Sequence, residues 1–172
     1  MIVLWGFSSY NSLISLNEST DAQWAKVETQ YQRRFDLIPN LVNSVKGILT
    51  QEQKIFGDIA EARTRYSGAT GANEKASAAT GVESALGRLF VIMENYPQLQ
   101  SSNNVRDLMT QLEGTENRIS VERTRFNDMV RDYNVAVKRF PKNIFARMLG
   151  FGERAYFEST TGAETAPKVN LE

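Results

Sequence analysis

The sequence predicts an all-α protein, an up-and-down antiparallel four-helix bundle with long helices. Three observations carry this expectation. Apolar residues recur in steps of four and three over two long stretches. Alternating apolar runs joined by hairpin turns, the mark of paired strands, are absent. The 172 residues suit one domain that can bury a real core.

The chain starts with the apolar run from Met1 to Phe7, followed by Ser8 and Ser9. That run is about a third of the ~20 residues a membrane-spanning helix needs. It also lacks the basic start of a signal peptide. It reads either as the apolar start of a soluble helix or as the stump of a transmembrane one.

Residues 10–66 then carry one long seam: Thr20, Trp24, Val27, Tyr31, Arg34, Ile38, Leu41, Val45, Ile48, Glu52, Ile55, Ile59, Ala62 and Tyr66. A second column, Phe35, Val42, Leu49 and Phe56, repeats every seven residues beside it. The stripe is wider than a two-stranded seam, which suits a helix with several neighbours. The chain reverses somewhere in this stretch, and two places compete. Pro39 disfavours helical geometry at Ile38, although the unbroken register favours a helix passing through it. The alternative is Lys46-Gly47, followed by Thr50-Gln51-Glu52-Gln53 with capping-box spacing.

Residues 67–81 are rich in Gly, Ala, Ser and Thr and read as a loop running into a weak helix start. A helix follows to about Asn95 with Val82, Leu86, Leu89, Phe90 and Met93. Gly81 and Gly87 weaken it, and in a bundle such glycines often let helices approach closely. Tyr96-Pro97 ends it. The last long helix starts near Ser102 or Asn103, both good N-caps. Its seam is Val105, Met109, Leu112, Glu116, Ile119, Arg123, Phe126, Val130, Tyr133, Val137 and Phe140. It spans roughly 55 Å at the α-helical rise. Pro141 stops it, and a short amphipathic piece with Ile144, Phe145, Met148 and Leu149 closes at Gly150. Residues 158–172 are small and polar and read as a disordered tail, with Leu171-Glu172 as a cloning scar.

The order of motifs is specific. Trp24-Ala25-Lys26-Val27 leads to Gln32-Arg33-Arg34-Phe35-Asp36-Leu37-Ile38-Pro39-Asn40-Leu41. Later come Leu86-Gly87-Arg88-Leu89, Glu94-Asn95-Tyr96-Pro97 and Leu112-Glu113-Gly114-Thr115-Glu116-Asn117. Arg125-Phe126-Asn127 follows, and Tyr133-Asn134, Phe140-Pro141 and Gly150-Phe151 near Tyr156-Phe157 close the pattern. Over roughly residues 10–157 this closely resembles the bacterial LemA family. Arg33, Arg34, Asp36, Pro39, Asn40, Tyr96, Pro97, Asn127 and Asn134 are the motif residues that carry the resemblance. It implies a four-helix bundle over 10–157 and a single transmembrane helix ahead of Tyr10 in the native protein. Residues 1–9 are then the remnant of that anchor, and the chain as it stands is expected to be soluble. It further implies a single-pass protein of the bacterial cell membrane, with most of the chain inside the cell. No molecular activity follows from it. Many relatives carry His beside Glu where this chain has Gln51-Glu52, so a role resting on that His does not apply here.

Composition narrows the chemistry. There is no Cys and no His. Disulfides, thiolate nucleophiles, Cys-ligated zinc and His-based catalytic units are excluded. There is no phosphate-binding glycine loop. Twenty basic residues balance twenty acidic ones, which argues against a general nucleic-acid binder. No cofactor, metal or catalytic residue is expected. The carboxylate pairs Glu113/Glu116 and Asp128/Asp132 share helix faces, as do most surface charges on any helix.

Two groups remain. Arg34, Glu52, Glu116 and Arg123 occupy seam positions and should face inward as a buried polar network. Arg33, Asp36, Arg63 and Glu113 lie beside it. Such charges either pair across helices to set register or line a binding site. The second group is residues 138–154, with Lys138, Arg139, Lys142, Arg147 and Arg154 against Glu153 alone, a local net of +4. Phe140, Phe145 and Leu149 are interleaved with these charges. An up-and-down bundle returns this segment beside the start of helix one. It either lies on an anionic membrane surface or caps the open end of the core with its charges solvated. The expected function is therefore a non-enzymatic, membrane-anchored scaffold with a protein partner. A sensor or small-ligand-binding bundle is the alternative.

Overall fold

The computed structural model describes residues 2–157, with side chains from Gly6 onward. The tail expected over 158–172 lies outside the described residues. Among the described residues six helices follow in order: α1 (Ile2–Lys46), α2 (Gln53–Gly68), α3 (Ala72–Glu94), α4 (Pro97–Gln100), α5 (Asn103–Lys138) and α6 (Lys142–Met148). Among the described residues there is no strand.

α1 and α5 form one long antiparallel pair, and α2 and α3 form another. Contacts along the first pair give the direction. Asn104 at the start of α5 donates to Ser44 near the end of α1 at 2.9 Å. Gln23, near the middle of α1, reaches Glu122 in the second half of α5 at 2.6 Å. The two pairs share one core. Tyr31, Ile38 and Leu41 of α1 are buried with Ile59 of α2, Leu86 and Leu89 of α3, and Leu112 and Ile119 of α5. Truncating any one of these Leu or Ile residues to Ala would cost about 2–5 kcal/mol.

α1 continues through Pro39 and ends at Lys46, so the reversal lies at Gly47–Gln51. Pro39 cannot donate to the Phe35 carbonyl, a loss that kinks or breaks an isolated helix. Here Phe35, Ile38, Leu41 and Val45 stay buried on both sides of it, and their packing holds the helix together. The single seam of residues 10–66 is therefore two helices whose registers happen to join. Ile48 falls in the turn and is exposed, and Leu49 is buried in its place. The capping box expected over Thr50–Gln53 does not form. Helix α2 starts at Gln53, with Glu52 as its N-cap and no side-chain capping bond.

The expected long loop over 67–81 shrinks to three residues. α2 reaches Gly68, and α3 starts at Ala72 after Gly71, whose φ of 86° favours glycine. Alanine-rich sequence carries high helix propensity, which the count of small residues concealed. Glu74 secures this start by accepting from the Thr70 amide at 2.9 Å. Gly81 and Gly87 do not mediate close approach, because a methyl at either would meet nothing within 4 Å. The close approach is at Gly6 instead, where a methyl would stand 3.3 Å from the Phe145 ring.

At the far end of the α1–α5 pair, α6 folds back onto both helices. Leu13, Tyr133, Val137 and Ala146 form a second small core there, with Phe151 against it. Residues 151–157 then run back along α5 as an irregular strap ending on the buried Phe157.

Candidate functional site

The middle of the molecule holds a cluster of charges built by three helices. Arg34 of α1 sits one turn beyond Tyr31 on the buried stripe, with only 6% of its surface exposed. Its guanidinium pairs with Glu116 of α5 and lies 3.4 Å from Glu83 of α3. Arg123 of α5 pairs with the same Glu83 oxygen at 2.8 Å. Its Nε donates to the Tyr31 hydroxyl at 2.9 Å. Glu83 is thus shared by two arginines from two helices.

Aromatic rings wrap this cluster. The Arg123 guanidinium lies 5.3 Å from the Tyr31 ring centre and 4.4 Å from that of Phe157. Tyr31 stacks on Phe35 at 6.2 Å, and Phe35 meets Tyr66 of α2 edge-on at 4.3 Å. Burial pushes the Glu83 carboxyl above its ordinary range, with Arg123 pulling the other way. Burial also pushes the Tyr31 phenol up to about 12 despite the neighbouring Arg123. Ionised Glu83 is tolerated in this setting because both arginines face it.

Three of the four expected inward charges therefore meet: Arg34, Glu116 and Arg123. Glu52 does not join them. It is half-buried at the α1–α2 junction, because the turn breaks the register that placed it in the seam. Of the flanking residues, Arg33, Asp36 and Glu113 are exposed, and Asp36 accepts from Gln32 at 2.8 Å. Arg63 is half-buried in a small surface cavity with Gln32, Tyr66 and Lys75. Glu83 was missed because only apolar residues of its helix were followed. Stepping back from Met93 by three and four gives Phe90, Leu86, Glu83, Ala79 and Ala76, and would have found it.

The remaining motif residues do separate jobs. Asn127 donates to the Phe157 carbonyl at 3.0 Å and accepts from the Phe157 amide at 2.8 Å. Asn134 does the same to Arg154, at 2.9 and 2.8 Å. Asn40 is exposed, Pro39 half-buried, Tyr96 half-buried, and Pro97 opens α4. The Asp128/Asp132 pair is taken up by Arg131, at 2.8 and 3.3 Å. Among the described residues, no group of three or more acidic side chains converges to hold a metal.

The basic segment lies where α6 meets the first turns of α1. Lys138 pairs with Glu153 at 2.7 Å, and Arg154 pairs with Asp21. Lys142 donates to Ser12 at 3.0 Å. Phe140 and Leu149 do not cap the core, since both are exposed, Phe140 by 75%. That role falls to Ala146, with half-buried Phe145 packed on Gly6. A separate open groove of about 960 Å³ runs between α2 and α3, lined by Lys54, Asp58, Arg65 and Arg88. None of Arg34, Glu52, Glu116 or Arg123 lines it. Among the described residues, no helix is long and apolar enough to cross a membrane.

Comparison with known proteins gives the lineage. The chain is 29% identical to Magnetosome protein MamQ of Magnetospirillum gryphiswaldense over 182 aligned positions, which cover 91% of this chain and 67% of that protein. Magnetosome proteins MamQ 1 and MamQ 2 of Paramagnetospirillum magneticum are each 28% identical, with the same coverage. The family model for LemA matches residues 23–171, a stretch that includes the Arg34–Glu83–Arg123–Glu116 cluster and both clamping asparagines. The chain belongs to the LemA family.

Proposed function

We propose that this protein is a non-enzymatic, membrane-associated scaffold or interaction module. Its arrangement is an up-and-down four-helix bundle of α1, α2, α3 and α5. A single-pass anchor continuous with the start of α1 ties it to the bacterial membrane in the native protein. The observation that carries the reading is the central charge cluster, in which Arg34, Glu83, Glu116 and Arg123 pair with one another across three helices. Charges used in this way set helix register and leave little free for substrate. The likeness to magnetosome proteins supports a membrane setting.

The test is site-specific photo-crosslinking in native membranes from the exposed positions Val91 and Val121. The expected result is a discrete adduct with one protein, in membranes that retain the chain through an alkaline wash. Adducts with no defined protein would count against the scaffold reading.

A small-ligand-binding bundle is the second reading. One observation favours it: the Arg34 Nε is buried and has no hydrogen-bond acceptor among the described residues. A ligand that raised the melting temperature of the wild type but not of an Arg34→Lys variant would support it.

A further inference from the structure

We propose that the outer face of α6, with the residues flanking it, is a docking surface for an anionic lipid bilayer. The inference deepens the membrane-associated reading and rests on it.

The surface has an apolar layer and a cationic rim. Phe140, Ile144, Met148 and Leu149 are all exposed, Met148 by 74%. Ile144 and Met148 are one helical turn apart, which puts them on one face of α6. Phe7, 65% exposed, follows Gly6 in α1, the position on which α6 packs through Phe145. The opposite face of α6 is spoken for, with Ala146 fully buried against α1 and α5. This apolar face is thus turned outward on a segment already fixed in place.

The charges select the occupant. Five basic residues stand in residues 138–154, but Lys138 and Arg154 are neutralised by Glu153 and Asp21. Among the described residues, Arg139 and Arg147 make no ion pair, and the Lys142 ammonium meets only the Ser12 hydroxyl. Arg139, Lys142 and Arg147 have no counter-charge among the described residues; Arg139 and Arg147 are exposed beside the apolar side chains, and Lys142 stands at the α1-facing edge of α6. An acidic lipid surface complements both features at once, because acyl chains take the apolar residues and phosphates take the rim. Each such cation near an anionic membrane changes affinity about fivefold, so three together change it on the order of 100-fold.

Flotation of the full 172-residue chain tests this, using vesicles of phosphatidylcholine alone and of equimolar phosphatidylcholine and phosphatidylglycerol. The expected result is salt-sensitive binding to the anionic vesicles only. The Arg139→Glu/Lys142→Glu/Arg147→Glu variant, which replaces attraction by repulsion at each position, should lose it by at least about 100-fold. If that variant is poorly folded by circular dichroism, Arg139→Gln/Arg147→Gln should show a smaller loss in the same direction. Because the chain has no Cys, Met148→Cys gives one labelling site for a polarity-sensitive dye. Its emission should shift to the blue on anionic vesicles, and that of a dye on Val91→Cys should not. Equal binding to neutral vesicles, no binding to either, or unchanged binding by the charge variants would each overturn the proposal. Retention of the charge variants in washed native membranes would leave the broader membrane reading standing, so the two can fail separately.

Discussion

Asn127 and Asn134 stand one heptad apart on α5, and each closes a two-hydrogen-bond ring with the backbone of the strap, at Phe157 and at Arg154. The spacing is a geometric match. Seven helical residues rise about 10.5 Å. Three residues of extended chain cover about 10 Å. The side-chain amide sets an N–H donor beside a carbonyl acceptor, and together these match the C=O and N–H of one backbone residue. This clamp carries Phe157 onto Arg123 and Trp24.

Replacing either asparagine by Ala removes two bonds and leaves a strap amide and carbonyl without partners. The expected cost is about 1–3 kcal/mol for each. Hydrogen exchange should show the Phe157 amide released in Asn127→Ala and the Arg154 amide in Asn134→Ala. Both variants free the same strap, so the double variant should lose less than the sum of the two.

The shared carboxylate of Glu83 should matter more than the seam residue Glu52. Glu83→Ala leaves Arg123 without its carboxylate and deprives Arg34 of one of two. We expect a loss of about 2–4 kcal/mol in chemical denaturation. Glu52→Ala, at a helix junction and outside the cluster, should stay within about 0.5 kcal/mol. A double-mutant cycle between Glu83 and Arg123 should return clear coupling.

Gly87 lies inside α3 with open space around its α-carbon and no positive φ. Gly87→Ala should therefore raise stability by about 0.5–1 kcal/mol, because Ala loses less backbone entropy in a helix. A rise in Tm without a change in the helical circular dichroism spectrum would confirm it. A fall in Tm would overturn it.

Alkaline pH should loosen the cluster through Tyr31. Its phenol holds its proton up to about 12 in the folded protein, against 10.0 ordinarily, chiefly because it is buried. Between those values the folded state binds more protons than the unfolded one, so stability falls as pH rises. The full difference corresponds to roughly 2–3 kcal/mol above pH 12. Melting temperatures across this range should fall less steeply in Tyr31→Phe than in the wild type.

How much of this was legible beforehand can be read from individual residues. Tyr31, Leu41, Val105, Ile119 and Val130 stood in the seams and are buried. Arg34 and Arg123 stood there as the polar exceptions and do meet in one cluster. Ile48 and Glu52 kept the same period by coincidence, and the turn at Gly47–Gln51 removed them. Asn127 and Asn134 were visible as motif residues, but nothing in their spacing named the strap as their partner.

By itself, the sequence determined the all-helical class, the buried face of each long helix and the family. These follow from local periodicity, which records the direction a side chain points from its own helix axis. Only the tertiary structure decided that Glu83 joins Arg34 and Arg123, that the two asparagines clamp the strap, and that Phe140 and Met148 stay exposed on α6. Those outcomes depend on how separate helices cross and where the chain turns. A helix's own period says that a charge faces inward, and the neighbouring helix supplies its partner.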